Sequence, residues 1–334
     1  MATKWDEVRV LGKVVSCAFD PYRPLMVHLF VTRRCNLACG YCYEADRTSD
    51  PVPIADLKRH IDHLHRLRAV LVTITGGEPL LHPQIVDLVA YVRSRGQVPV
   101  MNTNGYLLTE ERVRALDNAG LYALQISVDT LRPNSITRKS LVPLLPKLRM
   151  LSEHASFRVR INTVLGAGPP DDALRIAEAA VALGFDAKCS LARDRRGAVM
   201  PLSASARRAC DAIRQLRGRA PSYLSEDFQL SLADSGEVAW KCRSGARYFA
   251  VCEKGLVHLC ESSHGDPGIP LAKYTEADIR RAFHTAKSCS KTCAVAYAHQ
   301  ASRIDAWRSQ SAKERQILKR SWSDVTRELP PLWP

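Results

Sequence analysis

The sequence predicts an α/β protein built on a parallel sheet, and three features carry that expectation. Strand-like and helix-like patterns alternate six times between about residues 26 and 217. The strand runs are continuously apolar, as in AVLVTIT at 69–75, which suits strands covered on both faces. From about residue 220 the alternation gives way to short β-like runs rich in Gly and Cys. Six β-α units in a row imply a parallel sheet under helices, either doubly wound or rolled into an incomplete barrel. In both, ligands gather at the carboxyl ends of the strands.

The elements follow in order. MVHLFVT (26–32) is the first strand, and a three-cysteine loop comes after it. Ile54, Leu57, Ile61 and Leu64 recur at helical spacing over 54–69. After the strand at 69–75, the helix at 82–96 has Pro83 in its first turn and Gly96 to stop it. VPVMNTN (98–104) is the third strand; Thr109 caps the next helix, with Glu110 and Glu111 in its first turn and an end near Gly120. YALQISVDT (122–130) is the fourth strand. The helix after it contains Pro143 and Pro146 and is expected to start late. FRVRINTVL (157–165) is the fifth strand, and Asp171 or Asp172 caps a helix to Gly184. FDAKCSLA (185–192) is the sixth strand, with a helix near 204–217. RYFAVC and GLVHLC supply the later β-like runs, and a weaker helical tail ends in ELPPLWP.

Composition narrows the class. The chain has 334 residues, 46% apolar and 25% charged, enough for one large domain and a smaller one. No apolar run approaches the ~18 residues that span a membrane. The amino terminus lacks the apolar core of a secretion signal, so a cytoplasmic protein is expected. Eleven cysteines without an export signal point to metal binding or catalysis rather than disulfides. Three lie at 35–42 and five at 242–293; Cys17, Cys189 and Cys210 are scattered and read as small buried hydrophobes. Lys plus Arg is 48 against 34 Asp plus Glu, giving +14. The arginines of RDRRG (193–197) and at 207, 208, 214, 217 and 219 carry much of this surplus. No aromatics interleave with them, so a solvated basic face is favoured over a nucleic-acid surface.

Cys35, Cys39 and Cys42 are spaced C-x3-C-x2-C. Structural zinc wants four ligands, commonly entered through C-x2-C pairs. Three thiolates on one short loop instead suit three irons of a [4Fe–4S] cubane, leaving the fourth open for a ligand. CNLACGYC, with Tyr41 before the third cysteine, and TGGEP (75–79) after the second strand together resemble the signature of the radical S-adenosylmethionine superfamily. NTNG (102–105), ISVDT (126–130) and RINTVL (160–165) fall where that family's next three strands end, so the resemblance covers about residues 25–195. It implies a partial (β/α)6 TIM-like barrel and a mechanism. S-adenosylmethionine chelates the open iron, one electron cleaves it, and the 5′-deoxyadenosyl radical abstracts hydrogen from an unactivated carbon.

By that resemblance, Gly76 and Gly77 let the main chain meet the bound amino group, Glu78 adds a carboxylate, and Tyr41 packs against adenine. Ser127 and Asp129 lie near the ribose, and Asn162 near the sulfonium or carboxylate end. Ordinary strand-end capping is the competing account of Ser127, Asp129 and Asn162.

The later cysteines resemble the SPASM/twitch extension of radical S-adenosylmethionine enzymes. Cys242, twelve residues, Gly255, then Cys260 match its opening, and Cys289 and Cys293 would complete one auxiliary [4Fe–4S] cluster. The full SPASM pattern has seven cysteines; five here fit the shorter twitch form, and Cys252 is surplus, either a core thiol or a ligand in place of Cys289 or Cys293. A structural zinc site is the competing account. Four cysteine ligands favour an electron-relay role. The expected organisation is an amino-terminal extension (1–25), a core (26–219), an auxiliary-cluster domain of cysteine-rich β-hairpin plus helix (220–310), and a carboxyl-terminal helix and tail (311–334).

Among the histidines, His60 and His63 share a helix face without a ligating partner, His82 belongs to a turn, and His258 and His264 flank Cys260. Arg158 and Arg160 alternate on the fifth strand, and Arg193 follows the sixth; all three are candidate contacts for an anionic substrate, with salt bridges as the alternative.

The expected function is an oxidoreductase acting on a peptide or a small molecule, fed by an electron donor such as flavodoxin or ferredoxin, with neither membrane nor nucleic-acid partner. About 25 residues precede the first strand, so no leader-peptide-binding domain is expected at that end. The chain ends PPLWP rather than in the paired glycines of the superfamily's GTP-cyclising branch, so membership there is not expected. The alternative from another class is a non-catalytic iron–sulfur carrier or redox sensor.

Overall fold

The computed structural model describes residues 4–42, 45–194, 197–216, 224–263 and 267–308. Six parallel strands form the body: β1 (Met26–Phe30), β2 (Leu71–Thr75), β3 (Val98–Thr103), β4 (Ala123–Ser127), β5 (Arg158–Leu165) and β6 (Asp186–Leu191). They lie side by side in chain order, β1 in register with β2 from Met26–Leu71 to Phe30–Thr75. The crossovers are α2 (Ile54–Arg66), α3 (Ile85–Ser94), α4 (Glu110–Asn118), α5 (Leu141–His154) and α6 (Pro170–Ala182), with α7 (Ala204–Leu216) after β6. Spacing explains the burial: Leu57, Ile61 and Leu64 of α2 form one stripe and are fully buried. They join Val72 and Ile74 of β2 in one continuous core. This is the incomplete (β/α)6 barrel.

The cysteine-rich part continues the same sheet. β7 (Tyr248–Val251) pairs parallel to β1, and β8 (Leu256–His258) and β9 (Ile269–Pro270) follow antiparallel, giving nine strands in the order β6-β5-β4-β3-β2-β1-β7-β8-β9. α8 (Leu224–Ser235), α9 (Glu276–His284) and α10 (Ala296–Arg303) complete the region. α9 opens with a capping box between Thr275 and Asp278.

Three local expectations are corrected. Residues Lys4–Phe19 form a helix, α1, where the sequence reading had only an extension. Val10, Val14 and Cys17 point it inward, while Val8, Leu11, Val15 and Phe19 are exposed. α5 starts at Leu141, ahead of both prolines; Pro143 sits in the first turn, whose N–H groups have no helical partner anyway. Pro169, not Asp171 or Asp172, is the N-cap of α6. Asp172 instead accepts from Leu131 N at 2.8 Å. Thr109 does cap α4, accepting from Arg112 N at 3.2 Å.

Arg247, fully buried, ties the two ends of the fold together. Its guanidinium meets Asp305 through two contacts of 2.7 Å and donates to Cys17 O (2.9 Å), Asp20 O (2.8 Å) and Arg23 O (2.8 Å). All five of its N–H donors thus have acceptors.

Candidate active site in the barrel mouth

The cysteine loop is set by close backbone packing beyond β1 and β2. Gly77 N donates to Thr32 O (2.8 Å) and Glu78 N to Arg34 O (2.9 Å). A Cβ on Gly76 would run into the Thr32 carbonyl, and one on Gly77 into the carbonyls of Arg33 and Arg34. Gly76 also has φ +149°, a value that favours glycine. The glycines therefore let the chain approach itself, so that the first cysteine stands beside them. Glu78 braces this floor from below. Its fully buried carboxylate accepts from Leu80 N (3.0 Å), Thr103 Oγ1 (2.6 Å) and Asn104 N (2.8 Å). Burial pushes its pKa up, and those three donors oppose the rise.

Cys35, Cys39 and Cys42 line a cavity of about 620 Å³ together with Gly76 and Gly77. Cys35 Sγ accepts from Leu37 N at 3.4 Å and lies 3.8 Å from Asn104 Nδ2. Cys39 Sγ accepts from Arg138 N at 3.4 Å. The loop between β4 and α5 thus clasps the cysteine loop, with Gly40 N bonded to Ile136 O at 2.8 Å. Burial raises the Cys35 thiol pKa, and Glu78 and Cys42 add to that; Leu37 N and Lys139 work against it. N–H groups aimed at sulfur are the donors that tune thiolates bound to iron.

Tyr41 also lines the cavity, its hydroxyl donating to Asp129 Oδ2 at 2.5 Å. Asp129 is buried and accepts from Thr137 Oγ1 (3.2 Å) and Val164 N (3.2 Å). Lys139 stands over the Tyr41 ring at 5.2 Å. Burial works against its charge, but Tyr41, Asp129 and Cys39 outweigh it and keep the ammonium protonated. Ser127 and Asn162 face the cavity side by side, in register on β4 and β5. Asn162 Oδ1 accepts from Ser190 Oγ at 2.9 Å.

Farther in, the lining passes to Gln125, Lys188, Arg193, Glu261 and Tyr297, which sequence reasoning had missed apart from Arg193. Arg193 is ion-paired with Glu261. Burial would raise the Glu261 carboxyl, but Arg193 and His28 outweigh it and hold it well below the usual carboxylate range. Tyr248 OH donates to Glu261 Oε2 at 3.2 Å, and His28 packs edge-on between Tyr248 and Tyr297. The lysine in FDAKCSLA was a usable signal, since a charge inside an otherwise apolar strand needs a reason. Arg158 and Arg160 do share a face with Asn162, but neither lines the cavity. Arg158 is exposed near Glu7, and Arg160 pairs with Asp186 at 3.5 Å. As candidate substrate contacts, both are withdrawn.

Cys242 and Cys293 are buried, Cys260 is half-buried and Cys289 is exposed. Burial pushes the Cys293 thiol up to about 12, and Cys289, Cys260 and Cys242 are near enough to add to that. Glu261 and Ala294, the next residues after Cys260 and Cys293, line the cavity. Cys252 lies in the β7–β8 turn, buried. Cys17, Cys189 and Cys210 are buried among apolar side chains. Among the described residues no three His, Cys, Asp or Glu side chains converge at single-metal-ion distances. His63 bonds Tyr274 O (2.8 Å) and His82 bonds Val52 O (2.8 Å), both structural roles. Arg195, Arg196, Arg217, Arg219, His264, the 219/220 boundary and residues 311–334 lie outside the described residues. No helix of the described residues is long and apolar enough to cross a membrane.

A parallel, six-unit open barrel whose first βα loop brings three thiols to a glycine-floored cavity defines an iron–sulfur enzyme class. Residues 29–192 match the family described as the Radical SAM superfamily and form a domain of that superfamily. It is 33% identical over 154 residues to the GTP 3′,8-cyclase of Chlorobaculum tepidum, covering 44% of this chain and 46% of that protein. It is also 33% identical over 109 residues to the AdoMet-dependent heme synthase of Methanosarcina barkeri, covering 32% of this chain and 31% of that one. The chain thus spans about half the length, or less, of these relatives. Streptococcus suis SuiB bound to precursor peptide SuiA shares the fold, with TM-score 0.63 at 16% identity over 90% of this chain and 77% of that one. So does anSMEcpe with bound AdoMet and a peptide, with TM-score 0.54 at 15% identity over 91% and 96%. The chain is therefore an enzyme, and the electron-carrier alternative gives way. Its superfamily uses a [4Fe–4S] cluster and S-adenosylmethionine. The donor set fits that pair: three thiols on one loop opening onto the cavity, with two N–H groups already directed at sulfur.

Proposed function

We propose that Cys35, Cys39 and Cys42 hold the [4Fe–4S] cluster and that the same cavity takes S-adenosylmethionine and then a substrate, from which a hydrogen atom is abstracted. When bound, the cluster supplies the electron that cleaves the sulfonium and yields a 5′-deoxyadenosyl radical. The chain's own residues bind and orient. The main chain of Gly76 and Gly77 offers polar groups to the amino group of the nucleotide, with the Glu78 carboxylate behind them. Tyr41 gives the adenine an apolar face. Ser127, Asp129 and Asn162 serve the ribose and the amino-acid end. The Tyr41–Asp129–Lys139 group keeps the loop over the cavity and water out, which a carbon radical requires.

The observation that carries this reading is that the three thiols and the diglycine floor open into one cavity whose inner wall is polar and partly charged. The substrate is a small molecule or a side chain of a peptide. GTP 3′,8-cyclases and a peptide-bound SuiB represent both classes among this chain's relatives. Cys242, Cys260, Cys289 and Cys293 bind an auxiliary [4Fe–4S] cluster in a twitch-like arrangement, residues 220–310 being its unit and 26–219 the core. Four thiolates would fill its irons, leaving it a relay between the substrate and a donor such as flavodoxin or ferredoxin. Cytoplasmic residence follows from the reduced thiols the site needs.

The test is anaerobic reconstitution, iron and sulfide counts, then S-adenosylmethionine with a strong reductant. About eight irons per chain and 5′-deoxyadenosine are expected. Alanine at Cys35, Cys39 or Cys42 abolishes that product; alanine at Cys242 or Cys260 lowers the count to about four irons. Full turnover in all three loop variants would refute the assignment.

A further inference from the structure

Once a hydrogen atom has been taken from the substrate, the cavity must dispose of a carbon radical. Among side chains, a thiol S–H and a phenol O–H are the readiest hydrogen-atom donors to such a radical. The described lining offers three cysteines and two tyrosines. Cys35, Cys39 and Cys42 are the proposed cluster ligands, and a ligating thiolate carries no hydrogen. The hydroxyl hydrogen of Tyr41 is committed to Asp129 at 2.5 Å. Tyr297 is left.

The surroundings of Tyr297 suit that role. It stands in the first turn of α10, and its hydroxyl oxygen accepts from Gln125 Nε2 at 3.1 Å, with Asn102 as a second amide beside it. A phenol that accepts on its oxygen keeps its own hydrogen for another acceptor. Burial, to which the Glu261 charge adds, raises the Tyr297 pKa, so the hydrogen is in place at neutral pH. The ring lies against Tyr248, with centroids 6.3 Å apart and planes 27° from parallel. Tyr248 donates to Glu261, the neighbour of Cys260, at 3.2 Å. Both rings pack into the apolar cluster that holds Cys242, Cys260 and Cys293. Tyr297 thus touches the cavity and, through Tyr248, the second group of cysteines.

Resting on the reading above, we propose that Tyr297 is the hydrogen donor that ends the radical sequence. The product radical takes the phenolic hydrogen: a C–H bond forms, the O–H bond breaks, and a neutral tyrosyl radical is left on Tyr297. One electron from a low-potential reductant, entering past Tyr248, and one proton from water restore the phenol. Abstraction removes one hydrogen atom from the substrate and Tyr297 returns one, so the product is a rearranged substrate with an unchanged hydrogen count. Each turnover consumes one electron for the cleavage and one for the phenol.

The test uses the reconstituted full chain with S-adenosylmethionine and titanium(III) citrate in deuterium oxide, where the phenol carries deuterium. No substrate is added, so the 5′-deoxyadenosyl radical itself is the probe. Mass spectrometry is expected to show most of the 5′-deoxyadenosine from wild type heavier by one mass unit, and Tyr297→Phe should lose that label. Unlabelled product from wild type, or equal labelling in the variant, overturns the proposal. If Tyr297→Phe fails to fold, 3-fluorotyrosine placed at position 297 keeps the ring and the hydroxyl. Freeze-quenched samples should then show a tyrosyl electron paramagnetic resonance signal split by fluorine; a tyrosyl signal without that splitting, or none, overturns the proposal. Wild type that forms no 5′-deoxyadenosine refutes the reading of the site itself, whereas 5′-deoxyadenosine formed without label removes only the role of Tyr297.

Discussion

His299 of α10 should make the protein lose stability on mild acidification, by an amount that can be worked out. Its ring stacks on Phe228 with centroids 3.6 Å apart and meets Trp240 edge-on at 5.1 Å. Its Nδ1 is buried without a hydrogen-bond partner. Burial, with a smaller contribution from Arg303, pushes the imidazole pKa down to about 3. In the unfolded chain the same group titrates near 6.5. The fold therefore refuses a proton that the unfolded chain accepts. Stability from this site is complete above about pH 6.5 and falls as pH drops toward the folded value. At pH 5 the difference is about 1.5 pH units at 1.36 kcal/mol each, or about 2 kcal/mol. His299 as a whole residue is half-buried, and solvent screening trims this to between about 1 and 2 kcal/mol. His299→Phe keeps the stack and removes the titration. Urea unfolding of both proteins at pH 8 and pH 5 should show wild type losing about 1–2 kcal/mol more than the variant. Equal losses would refute the reasoning.

Three further perturbations follow. Arg247→Leu leaves buried Asp305 only its contact with Arg308 at 3.1 Å and should cost about 3 kcal/mol, with Arg247→Leu/Asp305→Leu recovering part of it, as read by chemical denaturation. Gly77→Ala drives a Cβ into the Arg33 and Arg34 carbonyls, so the cysteine loop must move. It should cost about 1–3 kcal/mol and lower iron uptake to about half, checked by iron analysis after reconstitution. Glu261 contributes stability that is present above the ordinary carboxylate pKa of about 4.3 and is lost progressively as pH falls toward its much lower folded value. Glu261→Gln should flatten the acid limb of the stability curve below about pH 4, and an unchanged limb would count against the Arg193–Glu261 pairing.

The barrel was legible because its determinants are local. The apolar runs of β1–β6, the stripe of Leu57, Ile61 and Leu64, and the Thr109 cap each act within a few residues. The first cysteine loop and the diglycine were legible for the same reason. What escaped depends on contacts distant in sequence. Lys139 reads as a loop charge in TRKSLV, yet it meets Tyr41 because the β4–α5 loop folds over the cysteines. Tyr297 and Glu261 reach the lumen only because β7 pairs with β1 and carries the carboxyl-terminal region against the barrel. Arg158 and Arg160 show the converse. Alternation identified their face correctly but not their depth along the strand, and depth separates a cavity residue from a salt bridge. α1 was missed because Val8, Leu11, Val15 and Phe19 blur the single apolar stripe expected of a surface helix.

The central claim is that three thiols leave one iron of a cubane open to a sulfonium nucleotide. The most direct measurement is electron paramagnetic resonance of the reduced, reconstituted protein with Cys242 and Cys260 replaced by alanine, so that only the first site is loaded, with and without S-adenosylmethionine. A clear change in the cluster's signal on adding the nucleotide, absent when adenosine is added instead, is the predicted result. A spectrum indifferent to S-adenosylmethionine would contradict the account.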